Sequence, residues 1–456
     1  MVFNSDIFLF VFLPIVFTLF WTFKTRERRY VLLALAGYVF YGYWNWRFCI
    51  LLLFSSLISF FVGIAIDQSK ARQAAKRWVI LAVTTDLALL GLFKYYNFFA
   101  DNIRAISPAI PLPPLKIVLP IGISFYTFHT ISYVLDVYAG RVKATRHFFE
   151  YLTYVSLFSQ LVAGPIVRFR QIESDLENIN SAPHEEWFAK GIAFFVIGLM
   201  RKVIIADHIA EYINPMLHSY SSMGFIGAWV AALGYTCQLY FDFAGYSDMA
   251  VGLGYLFGIR IPQNFNSPYF ALGIVDFWRR WHISLSTWLR DYLYISLGGS
   301  RKGPTRTYWN LMLTMLIGGL WHGASWTFVF WGGYHGLLLI LDKMVNPFLR
   351  RLPGNLYRAM TLLLVVIGWV FFRSSDFHMA TTWLSEMFLP TAISWNVLPK
   401  ALAWVVFALM VVFFVPETWD LRFSTRKRWA VAFALAFLVT YLFMNGTESV
   451  FLYYQF

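Results

Sequence analysis

LMLTMLIGGLWHGASWTFVFWGGYHGLLLILDKM, residues 311–344, decides what kind of protein this is. Apart from the closing Asp342 and Lys343, the only side chains in it that titrate near neutral pH are His322 and His335. About 20 apolar residues carry a helix across the hydrocarbon core of a bilayer, so the stretch holds two crossings or one broken hairpin. His322 then lies where lipid disfavours it. An ionisable group at that depth faces a bundle interior or a water-filled cavity and marks a functional site by default. Gly318, Gly319 and Gly323 remove bulk around it, and the four-residue step from Gly319 to Gly323 permits close helix approach. The competing reading is a histidine that hydrogen-bonds one helix to another.

The rest of the chain has the composition this segment requires. Of 456 residues, 59% are hydrophobic, 20% aromatic and only 13% charged, and mean hydropathy is +0.58. A soluble domain carries roughly 25% charged residues, so a multi-spanning all-α membrane protein is expected. Its net charge of +13 belongs to cytoplasmic loops rather than to a nucleic-acid surface. The first apolar run, Ile7 to Phe23, has no basic residue before it and Lys24, Arg26, Arg28 and Arg29 after it, the reverse of a signal peptide. It reads as a retained span with its N-terminus outside. Cys49 and Cys237 lie in separate apolar runs without ligand spacing and read as packing residues.

Further crossings follow at 30–44, 48–66, 78–99 and 117–138, with a proline-rich external loop at 101–116. Lys70, Arg72, Lys76 and Arg77, and later Arg141, Lys143 and Arg146, mark the cytoplasmic side. YLTYVSLFSQLVAG, residues 151–164, is too short to span and ends in Gly164-Pro165, which suggests a re-entrant or tilted helix. A polar stretch, 168–186, precedes spans at 187–206 and 224–241. A basic insert, 259–309, is expected to be cytoplasmic. After the 311–344 hairpin come spans at 362–372, 401–415 and 429–444. The total is an even number, ten to twelve crossings plus one or two re-entrant helices, with both termini outside. The chain reads as one integral-membrane domain, 1–456, with 259–309 as an interfacial insert.

Within that insert, residues 276–299 read DFWRRWHISLSTWLRDYLYISLGG. At helical period Trp278, Trp281, Leu285, Trp288, Leu289 and Tyr292 share one broad face, opposite Arg280, Ser284, Thr287 and Asp291. A membrane-surface helix is expected, its aromatic rings at headgroup depth. That accounts for the arginines and leaves His282 unexplained. His129 and His335 also sit in apolar runs, and His335 is a rival to His322 on the same hairpin. His147, His184, His208, His218 and His378 are expected to be solvated. Asp86, Asp242 and Asp248 fall inside apparent spans; Asp86 is expected to be a structural partner, and Asp242 and Asp248 either join helices or orient a histidine.

Five stretches together resemble the membrane-bound O-acyltransferase (MBOAT) family, in its alginate O-acetyltransferase branch. They are LPIGISFYTFHTISYVLDVY (119–138), QLVAGPIVRF (160–169), QLYFDFAGYSDMAVGLG (238–254), FWRRWHISLSTWLRDYLYISLGG (277–299) and GGLWHGASW (318–326). The resemblance runs from the first span to about Phe372. It implies a ring of helices around a central tunnel, the family's invariant histidine at His322 and its second histidine at His282. It further implies transfer of acetyl from a cytoplasmic donor, taken as acetyl-CoA with no bound cofactor or metal, toward an exopolysaccharide such as alginate or cellulose. The partners it implies are membrane lipid, periplasmic acetyltransferase proteins of the SGNH-hydrolase type and a polysaccharide synthase complex, at the bacterial inner membrane.

His322 is the expected base, or a transient acetyl carrier, because a neutral imidazole suits proton transfer near neutrality. Donor phosphates would meet Arg279, Arg280, Arg290, Arg301 or Lys302, since no glycine-rich phosphate loop is present; Trp321, Asp242 and Asp248 complete the candidate substrate site. A polysaccharide or lipid-linked sugar transporter using His322 as a proton relay is the rival from another class. The paired broken segments common in such transporters are not seen. A scaffold for a synthase is the third reading.

Overall fold

The computed structural model describes residues 1–181, 184–349, 351–389, 398–444 and 451–452, and every regular element among them is helical. In chain order the α-helices are α1 (Leu13–Thr22), α2 (Arg26–Asn45), α3 (Arg47–Gln68), α4 (Arg72–Leu90), α5 (Tyr96–Ile106), α6 (Ile123–Tyr138), α7 (Phe148–Ser156), α8 (Phe169–Glu177) and α9 (Glu185–Met200). They continue as α10 (His208–His218), α11 (Gly224–Leu256), α12 (Ile274–Arg280), α13 (Ile283–Trp288), α14 (Gly303–His322), α15 (Trp326–Leu349), α16 (Gly354–Arg373), α17 (Phe377–Phe388), α18 (Leu398–Phe414) and α19 (Lys427–Phe443). Among the described residues, five segments are long and apolar enough to cross a bilayer: Phe48–Gln68, Arg72–Ile106, Trp326–Val345, Gly354–Arg373 and Leu398–Asp420. Ile7–Thr22 is a shorter apolar helix.

The chain forms two compact units, Met1–Phe195 with Met249–Pro262 and Phe423–Ala430, and Val196–Asp248 with Gln263–Arg422 and Val431–Phe456. In the first unit, Leu35, Val39, Ile50, Phe61 and Ile80 are exposed on helices α2 to α4, an apolar surface suited to lipid rather than water. Polar side chains turn inward and satisfy one another, as a bilayer requires. Asp86 on α4 accepts hydrogen bonds from Ser55 of α3 and Thr130 of α6, each at 2.7 Å, which makes it the structural partner expected. Tyr151 donates to Ser59 at 2.6 Å, and Tyr30 donates to Glu150 at 3.0 Å.

Two segments of this unit differ from their expected spans. The crossing placed at 117–138 becomes helical only at Ile123, because Gly122 turns with φ +77° and a Cβ there would stand 2.8 Å from the Leu161 carbonyl oxygen. The short 151–164 segment is a nine-residue helix, α7, followed by non-helical chain that is buried throughout. Irregular backbone at membrane depth is tolerated only with such cover.

In the second unit the 311–344 segment is two helices, α14 and α15, separated by Gly323–Ser325. A Cβ on Gly319 would lie 2.3 Å from the Phe328 carbonyl oxygen and 3.0 Å from Cα of Gly332. Gly319 therefore faces the backbone of α15, while Gly318 faces the Leu289 side chain and Gly323 the Phe328 ring, rather than open space beside the imidazole. Gly319→Val is expected to force these helices apart and cost roughly 1–3 kcal/mol, read as a lowered melting temperature of the detergent-solubilised protein; unchanged melting would contradict this packing.

The expected interfacial helix at 276–299 is not continuous. Trp281 is extended and His282 adopts a left-handed conformation, φ 43° and ψ 55°, which divides the run into α12, α13 and a π-helical turn at Leu289–Tyr294. Trp281, Leu285, Trp288, Leu289 and Tyr292 are all buried. They pack within the unit, because the turn at His282 redirects the second half of the segment.

The span read at 187–206 is also longer: α9 continues through a π-helical segment, Arg201–Asp207, into α10. Likewise α11 runs on past Phe241 to Leu256. Asp242 and Asp248 lie on it and are both paired with cations inside the unit, as described next.

Candidate functional site

His322 is the last residue of α14 and 4% exposed. Its ring packs edge-on against Trp321 (5.0 Å between centroids), Trp331 of α15 (5.2 Å) and Phe372 of α16 (5.2 Å). The tight α14–α15 glycine contact brings Trp331 close, and α16, packed on α15, brings Phe372. Thr327 at the start of α15 donates to the Ser374 carbonyl at 3.2 Å, which ties the same ends together.

Trp321 connects this ring to the second candidate. His282 is fully buried, and its ring lies 6.4 Å from that of Trp321 and 4.6 Å from that of Phe243 on α11. Its Nδ1 is 3.1 Å from Oδ1 of Asn264, which also accepts from the Ser284 hydroxyl at 2.8 Å. With an acceptor at Nδ1 that nitrogen carries the proton, and Nε2 is the basic one. A non-glycine residue held at positive φ is strained, and such strain gathers at functional sites. The two histidines that the sequence singled out thus both lie near the Trp321 indole.

His335, the rival, packs against Trp331 (4.9 Å), Trp278 (5.3 Å) and Tyr334 (5.5 Å). A Cβ at Gly368 would stand 2.8 Å from its Nε2; the ring is closely enclosed by α16. His208, expected in water, is half-buried, with Nδ1 2.9 Å from the Val203 carbonyl and its ring 4.8 Å from Trp404. The π-helical turn before α10 is what folds it inward.

Asp242 and Asp248 are not bound to a histidine. Lys202 pairs with Asp242 at 2.6 Å and with Asp207 at 2.8 Å. Arg201 reaches Asp248 at 2.8 Å and Glu417 at 2.7 Å, while Tyr240 donates to Glu417 at 2.6 Å and Thr418 to Asp248 at 2.8 Å. Gly245, midway between the two aspartates, permits this: a Cβ there would be 2.7 Å from the Gly198 carbonyl oxygen. A cavity of about 300 Å³ with mainly apolar walls borders Arg201, Tyr240 and Glu417.

The basic candidates divide in the same way. Arg280 is held by Asp276 at 3.0 Å and Arg290 by Asp291 at 2.7 Å. Arg279, Arg301 and Lys302 are exposed. Sequence reasoning did not single out Asn264, Phe243, Trp331 or Phe372, which a linear pattern cannot place. Arg201 and Lys202 carried a signal it could have used: two cations inside an apparent span call for buried partners, and two carboxylates lay in the next one.

Residues 35–375 match the membrane-bound O-acyltransferase family. The chain is 45% identical over 401 residues to the "Probable alginate O-acetylase AlgI" of Pseudomonas syringae pv. tomato, covering 85% of this chain and 75% of the relative. It is 45% identical over 396 residues to the protein of the same name from Pseudomonas aeruginosa, with 85% and 75% covered. With the peptidoglycan O-acetyltransferase of Helicobacter pylori it shares 37% identity over 420 residues, 85% of this chain and 80% of the relative. Apolar spans, a buried histidine pair and relatives of this breadth lead to one conclusion: the chain is a multi-pass membrane enzyme of the membrane-bound O-acyltransferase family.

Proposed function

We propose that this enzyme moves acetyl from acetyl-CoA in the cytoplasm through the bacterial inner membrane for O-acetylation of an exopolysaccharide, with His322 at the reacting centre. The observation that supports this reading is the buried His322 ring against Trp321, with the buried His282 ring 6.4 Å from the same indole. Alginate or cellulose is the acceptor class; similarity to alginate O-acetylases favours alginate. The reading includes one catalytic domain over 1–456, a ring of ten to twelve crossings around a tunnel, both termini outside, and an SGNH-hydrolase-like acetyltransferase and a polysaccharide synthase complex as partners.

In the direct route the acceptor hydroxyl oxygen attacks the thioester carbonyl carbon. His322 takes the hydroxyl proton, the C–S bond breaks, and the leaving thiolate regains a proton from the imidazolium. In the two-step route the imidazole nitrogen attacks first, the thiol leaves, and the acceptor hydroxyl then removes acetyl from the ring. Single-turnover mixing with acetyl-labelled donor separates them: label on the protein before acceptor is added, lost in His322→Gln, indicates the carrier route. No label on the protein with full transfer indicates the base. Absence of any His322-dependent transfer would overturn the function.

His282 orients the donor or relays the proton, held by Asn264. Arg279, Arg301 and Lys302 meet the donor phosphates, because Arg280 and Arg290 already have carboxylate partners. Asn264→Ala is expected to slow transfer by on the order of tenfold, since a buried ring nitrogen losing its acceptor costs roughly 1–3 kcal/mol. A rate within twofold of the unaltered enzyme would remove His282 from the mechanism.

A further inference from the structure

The cavity of about 300 Å³ beside Arg201 lies wholly within the second unit. One wall is Phe407, Val411 and Val412 of α18, continued by Val415; other parts of the lining are Met200 of α9 and Ile204 of its π-helical extension. The span to which α18 belongs, Leu398–Asp420, is long and apolar enough to cross a bilayer, and only 22% of its most apolar stretch is buried. Phe407 and Val415 are 39% and 53% exposed. The cavity therefore opens toward the surface that meets hydrocarbon, where an apolar hollow takes up a lipid chain rather than water.

Polarity is graded along this wall. From Phe407 to Val415 it is apolar over about 12 Å, and Glu417, Thr418 and Ser267 then line the cavity. Glu417 is committed, accepting from Tyr240 at 2.6 Å and from Arg201 at 2.7 Å. Ser267 is not. Its backbone amide donates to Glu417 at 3.3 Å, whereas its hydroxyl makes no hydrogen bond among the described residues. Its backbone is held at φ 44°, a strained conformation of the kind that gathers at ligand clamps. Arg422 follows the lining residue Leu421, is exposed, and makes no ion pair among the described residues.

An apolar slot that leads to an uncommitted hydroxyl and a free guanidinium has the layout of a phospholipid, in which chain, ester and phosphate follow one another. The guanidinium fork suits phosphate oxygens, and its charge favours a head that is negative overall. We propose that this cavity binds one acyl chain of an anionic phospholipid, with the ester region at the Ser267 hydroxyl and the phosphate at Arg422. The bound chain fills the space between α18 and the end of α9, beside the Arg201–Glu417 pair, and so stabilises the unit. The site is independent of the acyl-transfer reading.

The test uses the full-length protein, stripped of lipid in detergent and titrated with phosphatidylglycerol, with phosphatidylcholine of the same chains, and with glycerophosphoglycerol, the head without chains. Native mass spectrometry reads the bound lipid and thermal unfolding its effect. The unaltered protein is expected to retain phosphatidylglycerol over phosphatidylcholine on the order of fivefold, to melt higher with it, and to hold no head group alone. Val411→Phe fills the slot and should lower retention of both lipids by on the order of tenfold. Arg422→Gln should remove the preference and leave phosphatidylcholine retention unchanged. Equal retention of the two lipids by the unaltered protein, retention unchanged in both variants, or binding of the head group alone as strong as that of the lipid would overturn the site. Arg422 is exposed, so its variant decides the matter if Val411→Phe does not fold.

Discussion

His322→Ala is expected to lower acyl transfer by on the order of 10² to 10⁴ fold, the contribution of a positioned proton acceptor, and to abolish it if the ring carries acetyl. The expectation follows from where the ring sits. At the end of α14 and 4% exposed, it is enclosed by Trp321, Trp331 and Phe372. A displaced nitrogen cannot be replaced by bulk water there. Because alanine also leaves a space among three aromatic rings, His322→Gln serves as a companion that preserves volume. Both should assemble and melt near the unaltered protein while transferring little. Normal acetylation by either would leave a scaffold or transport role for the chain, and loss of folding in both would make the histidine a packing residue.

The second large effect is on stability. Arg201→Ala is expected to destabilise the protein by about 3–5 kcal/mol, because it leaves Asp248 and Glu417 buried without their shared cation. The carboxylates are 7% and 3% exposed at the side chain, so solvent screens them little. Replacing Arg201, Asp248 and Glu417 together by Met, Leu and Leu should recover much of that loss, since exchanging a whole buried ion network for apolar residues is often neutral. Thermal unfolding in detergent, followed by monodispersity, measures both. If Arg201→Ala melts with the unaltered protein, the network does not hold α11 to the chain around Glu417.

Much of this architecture is legible in the chain itself. Apolar runs divided by basic loops specify a helical membrane protein, since lipid leaves the backbone no other partners than its own. The 311–344 hairpin and its histidine are visible for the same reason. Where the reading went astray, a long-range contact had changed the local rule. The 224–241 span ended too early: α11 runs to Leu256, and Lys202 and Arg201 supply charge to its Asp242 and Asp248. The amphipathic stripe at 276–299 gave a sound helical period, but periodicity cannot register one left-handed residue, and His282 is that residue.

The division for the candidate site is similar. Sequence alone determined the class, the spans near 48–66 and 326–344, and the choice of His322 as a candidate, because the cost of an ionisable group in an apolar run depends only on its neighbours in the chain. Tertiary structure alone decided that both rings lie near Trp321, that Asn264 meets Nδ1 of His282, and that Asp242 and Asp248 answer to cations rather than to histidines. Those facts depend on side chains brought together from positions far apart in the chain, and hydrogen bonds and ion pairs act through distances of a few ångströms in space that no spacing along the sequence encodes.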